Sequence, residues 1–221
     1  MTDHLAHLRT DVDAILRVLD RGSLDAPVTA CPGWSVRELV EHLGAVHRWA
    51  TEIVQTGAPQ QEQPYADKDL TSWFAEGAEQ LLGTLGAADP DAPCWSFTTD
   101  RTAGFWRRRQ ALETAVHRWD AEQAVGAPAP LDAGLAADGV TEVVALMAPR
   151  QVKLGRVPAY APVLLRAVDT GQEWLLGEGD PVGSVEGSAH DLLLLLWKRP
   201  VDGGVQLTGE AAAVLQLPLT P

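Results

Sequence analysis

The sequence predicts an α+β protein in which a four-helix bundle is followed by a small α+β domain. Before Gly126, apolar residues recur every three or four positions in four segments, which is the spacing of amphipathic helices. The stretch 126–134, G-A-P-A-P-L-D-A-G, has the composition of a linker. Beyond it, two apolar runs flank D-T-G at 169–171, a β-hairpin signal. We therefore predict a bundle domain at residues 1–128 and an α+β domain at residues 132–221.

Local signals fix the ends of several bundle helices. Gly22 is a plausible stop for the first helix. Ser35 and Glu38 have the spacing of a capping box, so the second helix begins there. A polar connection at 58–67 precedes the third helix, and a long loop follows it. The predicted helices cover residues 3–21, 35–57, 70–85 and 106–122.

The loop at 86–101 carries two aromatic residues, Trp95 and Phe97. These side chains either line a pocket or pack over the end of the bundle, and the sequence leaves both interpretations open. Loops of this length inside compact domains are often functional.

The second domain shows a different pattern of helices and strands. A helix is expected over Leu135–Lys153, and Ser188 begins another helix that Pro200 ends. The hairpin strands lie between these helices, and further short strands are expected at residues 182–186 and 205–207. A last helix is expected at residues 209–216. This succession of elements is that of a small α+β fold.

Composition excludes some classes of partner. The 221-residue chain is 46% hydrophobic and 21% charged, as in an ordinary globular protein. Its net charge of -13 argues against nucleic acid, because phosphate binding needs clustered Lys and Arg. The same charge argues against an anionic membrane surface. We expect a monomer or a weak dimer that acts on small molecules.

Targeting signals and cysteine usage favour the cytoplasm. The charged N-terminal segment has no apolar run of the secretory type, and the apolar run at 192–197 is far too short to cross a bilayer. Cys31 and Cys94 are distant in sequence, which favours reduced thiols. Cys31 could be a nucleophile, but a small buried residue is the favoured interpretation.

The fourth helix carries the candidate chemistry. An apolar stripe includes Leu112 and Val116, and beside it runs a line of polar residues at spacings of three or four. A carboxylate and an imidazole so placed can share a metal ion if another segment supplies a third ligand. A surface ladder of ion pairs has the same spacing, so the pattern alone leaves both interpretations open. The polar line consists of Arg109, Glu113, His117 and Asp120.

Two histidines on the second helix could supply the third ligand. His47 falls within the apolar stripe, whereas His42 lies at its flank, so periodicity predicts that His47 is the more buried. It does not say which of them binds metal. His47 also belongs to an internal echo, since A-V-H-R-W occurs at 45–49 and again at 115–119.

Three segments of the chain carry a resemblance to a known family: C-P-G-W-S-V-R-E-L-V-E-H-L-G at 31–44, E-T-A-V-H-R-W-D-A-E at 113–122 and D-L-L-L-L-L-W-K-R-P at 191–200. They resemble the mycothiol-dependent maleylpyruvate isomerases, which belong to a wider DinB-like group of metal-binding four-helix bundles. The resemblance implies a C-terminal domain similar to sterol-carrier-like α+β folds. It also implies one divalent metal, usually zinc, held by His42, Glu113 and His117. His47 does not match the family's pattern.

The resemblance further implies how the site works. Mycothiol, the small thiol of actinobacteria, would fill the open metal position and attack an electrophilic carbon. Reversal after bond rotation would give an isomerisation, and retention of the adduct would give an S-transfer. Arg199 matches the arginine that the family's second domain lends to the site; the other interpretation is a surface arginine. Asp120 would orient a ligand histidine or pair with an arginine.

Two other classes of function remain open at this stage. One is a metal-dependent hydrolase in which water takes the open position and Asp120 or Glu122 is the base. The other is a non-enzymatic protein that binds metal or a ligand. The mixed nitrogen and oxygen ligand set accepts Ni, Co or Mn as well as Zn.

Overall fold

In a computed structural model, which describes residues 2–66, 69–201 and 203–221, the chain divides into two compact units. The first unit is Met1–Ala129 and the second is Pro130–Pro221. The predicted connection at 58–67 ends on Asp67, which lies outside the described residues. No helix in the described ranges combines the length and the apolar content that crossing a bilayer requires.

The first unit is a four-helix bundle. Helices α1 and α4 pack together, as do α2 and α3, and each of α1 and α2 contacts both α3 and α4. Apolar stripes meet at the centre of this arrangement, where Leu43 and Phe74 are fully buried. The helices are α1 His4–Asp20, α2 Val36–Thr56, α3 Leu70–Ala87 and α4 Ala103–Ala124.

Polar side chains cap the starts of two bundle helices, and the cap at Ser35 is the one that the sequence predicts. Ser35 and Glu38 form the capping box at the start of α2, which satisfies backbone N–H groups that the first turn leaves unpaired. The Thr102 side chain accepts from the Phe105 N–H at the start of α4. At the other end of α2, Gly57 adopts φ +69°, a left-handed conformation that glycine adopts without strain.

The loop before α4 packs on the bundle. The Trp95 ring lies 6.3 Å from each of the Trp49 and Trp106 rings, between ring centroids. The Phe97 ring lies 5.3 Å from Phe105. Of the two interpretations of these aromatic residues, packing over the bundle is the one that the structure supports.

The second unit pairs helices with a four-stranded sheet. Strands β1 and β3 are parallel, and the other pairings are antiparallel, in the order β2-β1-β3-β4. Gly139 allows α5 to pack closely on α7, since a Cβ there would lie 2.7 Å from the end of the Leu193 side chain, which would have to shift. The elements are α5 Ala133–Glu142, a π-helical turn Val143–Met147, α6 Ala148–Lys153, β1 Val163–Ala167, β2 Glu173–Leu176, β3 Gly183–Gly187, α7 Ala189–Leu196, β4 Gln206–Leu207 and α8 Ala211–Leu215.

The bundle followed by an α+β unit confirms the predicted fold class, and three local predictions need correction. Gly134 lies within α5 and not in a linker, because the Asp132 side chain caps that helix. The single helix predicted over 135–153 contains a π-helical turn beside Pro149, which has no N–H to continue the α-helical ladder. Helix α7 ends at Leu196, before Pro200, because Lys198 adopts φ +63°.

Candidate metal centre

Two helices of the bundle bring three metal-ligating side chains together. Glu113 and His117 lie one turn apart on α4, and His42 projects from α2. The His42 Nε2 atom is 3.6 Å from Glu113 Oε1, and the His117 Nε2 atom is 3.3 Å from the same oxygen. One ligand atom from each residue lies within 4.8 Å of the others. The structure therefore brings together the three residues that the sequence analysis selected.

Polar neighbours orient two of these side chains. The His117 Nδ1 atom is 3.1 Å from Asp120 Oδ2, so the imidazole N–H donates to the carboxylate and leaves the Nε2 lone pair toward Glu113. Arg109 donates to Glu113 Oε2, which leaves Oε1 as the oxygen nearest both histidines. Asp120 is 1% exposed, so this carboxylate is held within the bundle.

Burial keeps the His42 imidazole neutral. Desolvation, and secondarily the neighbouring His117 imidazole, lowers the pKa of His42 to about 4 from an ordinary 6.5. A neutral imidazole has the free lone pair that a metal ion requires. The Trp34 ring packs on the His42 ring with their centroids 5.1 Å apart, which restricts the orientation of this imidazole.

The donor set fits a divalent ion. Ligands about 2.1 Å from a tetrahedral ion stand about 3.4 Å apart, close to the two nitrogen–oxygen separations above. Two neutral imidazoles and one carboxylate form the kind of set that catalytic zinc uses. Three protein ligands leave one tetrahedral position for an exogenous ligand.

Comparison with known proteins identifies the family. Residues 5–122 match the family described as the mycothiol maleylpyruvate isomerase N-terminal domain. This match covers the whole bundle up to the last turn of α4 and more than half of the chain. The chain belongs to this family. Membership indicates that it is an enzyme.

Solved structures support the same fold. Two crystal structures of a mycothiol-dependent maleylpyruvate isomerase, one of them a histidine-to-alanine mutant, each superpose with a TM-score of 0.69. Each comparison covers 99% of this chain and 95% of the other, at 13% sequence identity. No curated protein matches the sequence.

The line of polar residues on α4 does not form a surface ladder of ion pairs. Arg109 is 7% exposed, His117 is 8% exposed and Asp120 is 1% exposed. Helix α2 packs against α4, which encloses side chains that periodicity alone places beside the apolar stripe. The surface-ladder interpretation of these residues is therefore wrong.

His47 lies in the core, outside the ligand group. It is fully buried, as periodicity predicts, whereas His42 is partly exposed. Its Nε2 atom is 2.9 Å from Thr114 Oγ1, and its ring lies 5.5 Å from the Phe74 ring. Burial lowers the pKa of His47 to about 3, so this imidazole is also neutral.

Cys31 lies beside the candidate centre, a position that the sequence analysis did not predict. It forms a second cluster with His117 and Asp120, whose ligand atoms lie within 4.8 Å of one another. The residue is partly exposed, so the expectation of a small buried residue is wrong. The turn at 28–34 folds back so that the Val28 N–H donates to the Trp34 carbonyl, and this closure gave no periodic signal. Cys94 is the buried cysteine.

Arg199 belongs to the second unit, in the turn that follows α7. Its Nη1 atom donates to the Trp197 carbonyl at 2.6 Å, and its guanidinium lies 5.7 Å from the Trp197 ring centroid. Because the residue is only 8% exposed, the interpretation as a surface arginine is wrong.

Proposed function

We propose that this chain is a zinc- and mycothiol-dependent enzyme, which activates the external thiol for attack on a small electrophile. The observation that carries the proposal is the convergence of His42, Glu113 and His117, with Nε2 and Oε1 atoms 3.3 to 3.6 Å apart. The family match supports mycothiol as the thiol. The reduced thiol would be supplied in the cytoplasm, where such thiols persist.

The bound ion would lower the pKa of a thiol at the open position, so that the reactive thiolate forms near neutral pH. The chain's own residues prepare the position. Asp120 holds the proton on His117 Nδ1, and Arg109 holds Glu113 Oε2, so each of these two ligands presents one defined atom. These contacts fix the ligand orientations before the thiol arrives.

The reaction follows from what the thiolate does next. It adds to an electrophilic carbon of the substrate. If the adduct reverses after rotation about the former double bond, the product is the geometric isomer. If the adduct instead takes up a proton, in place of the one that the thiol lost, the product is a thioether and the enzyme is an S-transferase. No side chain of the protein needs to be the nucleophile in either route.

The hydrolase alternative has a weaker basis. Glu122 accepts from Arg118 Nη1 at 2.7 Å and from the Ala129 N–H at 3.0 Å, so its Oε2 is already held in a structural role. Asp120 accepts from His117, which suits orientation of a ligand better than deprotonation of water.

The test of the function measures thiol dependence. The purified protein is analysed for metal, and turnover is measured against a panel of electrophiles with mycothiol, with S-methylmycothiol and without thiol. We expect turnover with mycothiol alone and loss of turnover after chelation. Equal turnover without thiol would favour the hydrolase, and metal binding without any turnover would favour the binding protein.

Arg199 is proposed to hold an anionic electrophile. A guanidinium stays charged at any working pH and forks onto both oxygens of a carboxylate. We expect Arg199→Ala to keep the metal and to lower turnover of a carboxylate-bearing electrophile by roughly 10²-fold, a typical loss for one positioned charge. Arg199→Lys should recover only part of this loss, because an ammonium cannot chelate both oxygens. Unchanged turnover in Arg199→Ala would remove Arg199 from the proposal while leaving the thiol chemistry intact.

A further inference from the structure

A cavity of about 530 Å³, open to solvent over much of its extent, lies at the turn that leads into α2. Backbone hydrogen bonds shape this turn, including Trp34 N–H to the Cys31 carbonyl at 2.9 Å. Gly33 adopts φ +85°, which favours glycine at the tip of the turn. The volume lies in the range of small-molecule sites. The cavity is lined by Asp25, Val28, Thr29, Pro32, Trp34 and Glu38, among others.

Trp34 borders both this cavity and His42 of the candidate metal centre. Its ring lines the cavity and also packs on the His42 ring, 5.1 Å away between centroids. Glu38, which also lines the cavity, is one helical turn before His42 on α2 and lies on the same face. A ligand in the cavity would therefore be separated from the metal ligand by about the width of one aromatic ring.

The cavity's chemistry selects against anions. Its lining, as far as the structure describes it, includes the carboxylates of Asp25 and Glu38 and no Lys or Arg. Ionised carboxylates accept hydrogen bonds and repel another carboxylate. A neutral, polyhydroxylated molecule suits such a wall, because its hydroxyl groups donate to the carboxylates and its C–H face can pack on the Trp34 ring. An anionic electrophile does not suit it.

We infer that the cavity holds the sugar portion of mycothiol, whose cysteinyl thiol is joined to a neutral pseudodisaccharide of glucosamine and inositol. This inference rests on the proposed function, since that function makes mycothiol the cosubstrate. It assigns the two reactants to different sides of the metal centre. The thiol enters past Trp34, and the anionic electrophile approaches from elsewhere.

The experiment compares mycothiol with N-acetylcysteine, a thiol that lacks the sugars. Thr29→Trp places a bulky side chain in the cavity without replacing Trp34, and Glu38→Gln removes a carboxylate while a glutamine can retain the capping box. We expect the ratio of the KM for mycothiol to that for N-acetylcysteine to rise about tenfold or more in Thr29→Trp, equivalent to about 1.4 kcal/mol. Glu38→Gln should raise the ratio by a smaller factor.

Controls separate this inference from the proposed function. Asp13→Asn replaces an exposed carboxylate on α1 and should leave the KM ratio unchanged. An unchanged ratio in Thr29→Trp, or an equal rise in both KM values, would overturn the inference while thiol-dependent turnover stands. If the wild-type protein shows no thiol-dependent turnover, calorimetry with S-methylmycothiol decides the inference. Binding that Thr29→Trp abolishes supports the sugar site, and absence of binding overturns it.

Discussion

The pentapeptide A-V-H-R-W occurs twice in the bundle and has two different environments. At 45–49, on α2, His47 is fully buried and contacts Thr114 and Phe74. At 115–119, on α4, His117 lies with His42 and Glu113 at the candidate metal centre. Identical local sequence therefore does not decide whether a histidine fills the core or faces a ligand.

The difference comes from neighbours one helical turn away. Four residues before the histidine, α2 has Leu43 and α4 has Glu113. Three residues after it, α2 has Ala50 and α4 has Asp120. Residues at these spacings share a helix face, so His117 has a carboxylate on either side along the helix. Apolar residues flank His47 along α2 instead. The hydrogen-bond partner of its Nε2 atom is Thr114, which lies on α4.

Metal content provides the most direct test of the difference between the two histidines. His42→Ala, Glu113→Ala and His117→Ala should each reduce bound divalent metal from about one equivalent per chain to background, because two ligands rarely retain zinc. His47→Ala should keep the metal and instead destabilise the fold by about 2–4 kcal/mol through the cavity it leaves. Elemental analysis after dialysis and denaturant unfolding measure the two effects. If His47→Ala loses the metal and His42→Ala keeps it, the ligand on α2 is assigned wrongly.

The arginines of the two pentapeptides should also differ, in how much each contributes to the stability of the fold. Arg118 is 5% exposed and donates to buried Asp11 at 3.0 Å. Arg118→Ala leaves that carboxylate without its guanidinium, which should cost about 3–5 kcal/mol. Arg48 is half-buried and lies 4.0 Å from the Trp73 ring centroid, so Arg48→Ala should cost only about 1–2 kcal/mol. Equal losses in the free energy of unfolding, measured with urea, would show that the two arginines contribute equally to stability.

The residue three positions after each histidine provides a finer test. Asp120→Asn removes the charge that orients His117, whereas the corresponding residue on α2 is Ala50. We expect metal affinity to fall by about 10- to 100-fold, the usual loss for such a carboxylate partner. The matched control is Glu122→Gln on the same helix, whose carboxylate contacts Arg118 and not a histidine. Competition with a fluorescent chelator measures both affinities, and equal losses would contradict an orienting role for Asp120.

The periodic parts of the fold were predictable, because they depend on residues near one another in sequence. The capping box at Ser35 and the greater burial of His47 relative to His42 are both confirmed. The enclosure of Arg109 was not predictable, since it depends on which helix packs over α4. The position of Cys31 depends on a turn that closes by backbone bonds, and such closure leaves no pattern in the side chains.

The smallest expected effect is the pH dependence that His47 confers. Burial lowers the pKa of His47 to about 3, while the unfolded chain has an ordinary pKa of 6.5. Below pH 6.5 the unfolded state therefore binds more protons than the folded state, so stability falls as pH decreases from 6.5 toward 3. Between pH 7 and pH 5.5 this one group should remove about 1.3 kcal/mol of the free energy of unfolding.

The control for this prediction is His47→Gln, which does not titrate and can still bond Thr114. Both proteins are stripped of metal, because metal affinity itself depends on pH and would add its own pH dependence to the stability. Urea unfolding at pH 7 and pH 5.5 gives the two losses of stability, and the wild-type loss should exceed the variant loss by about 1.3 kcal/mol. Equal losses would mean that His47 is protonated within the fold. His47 would then not be the neutral core histidine that the contrast with His117 on α4 requires.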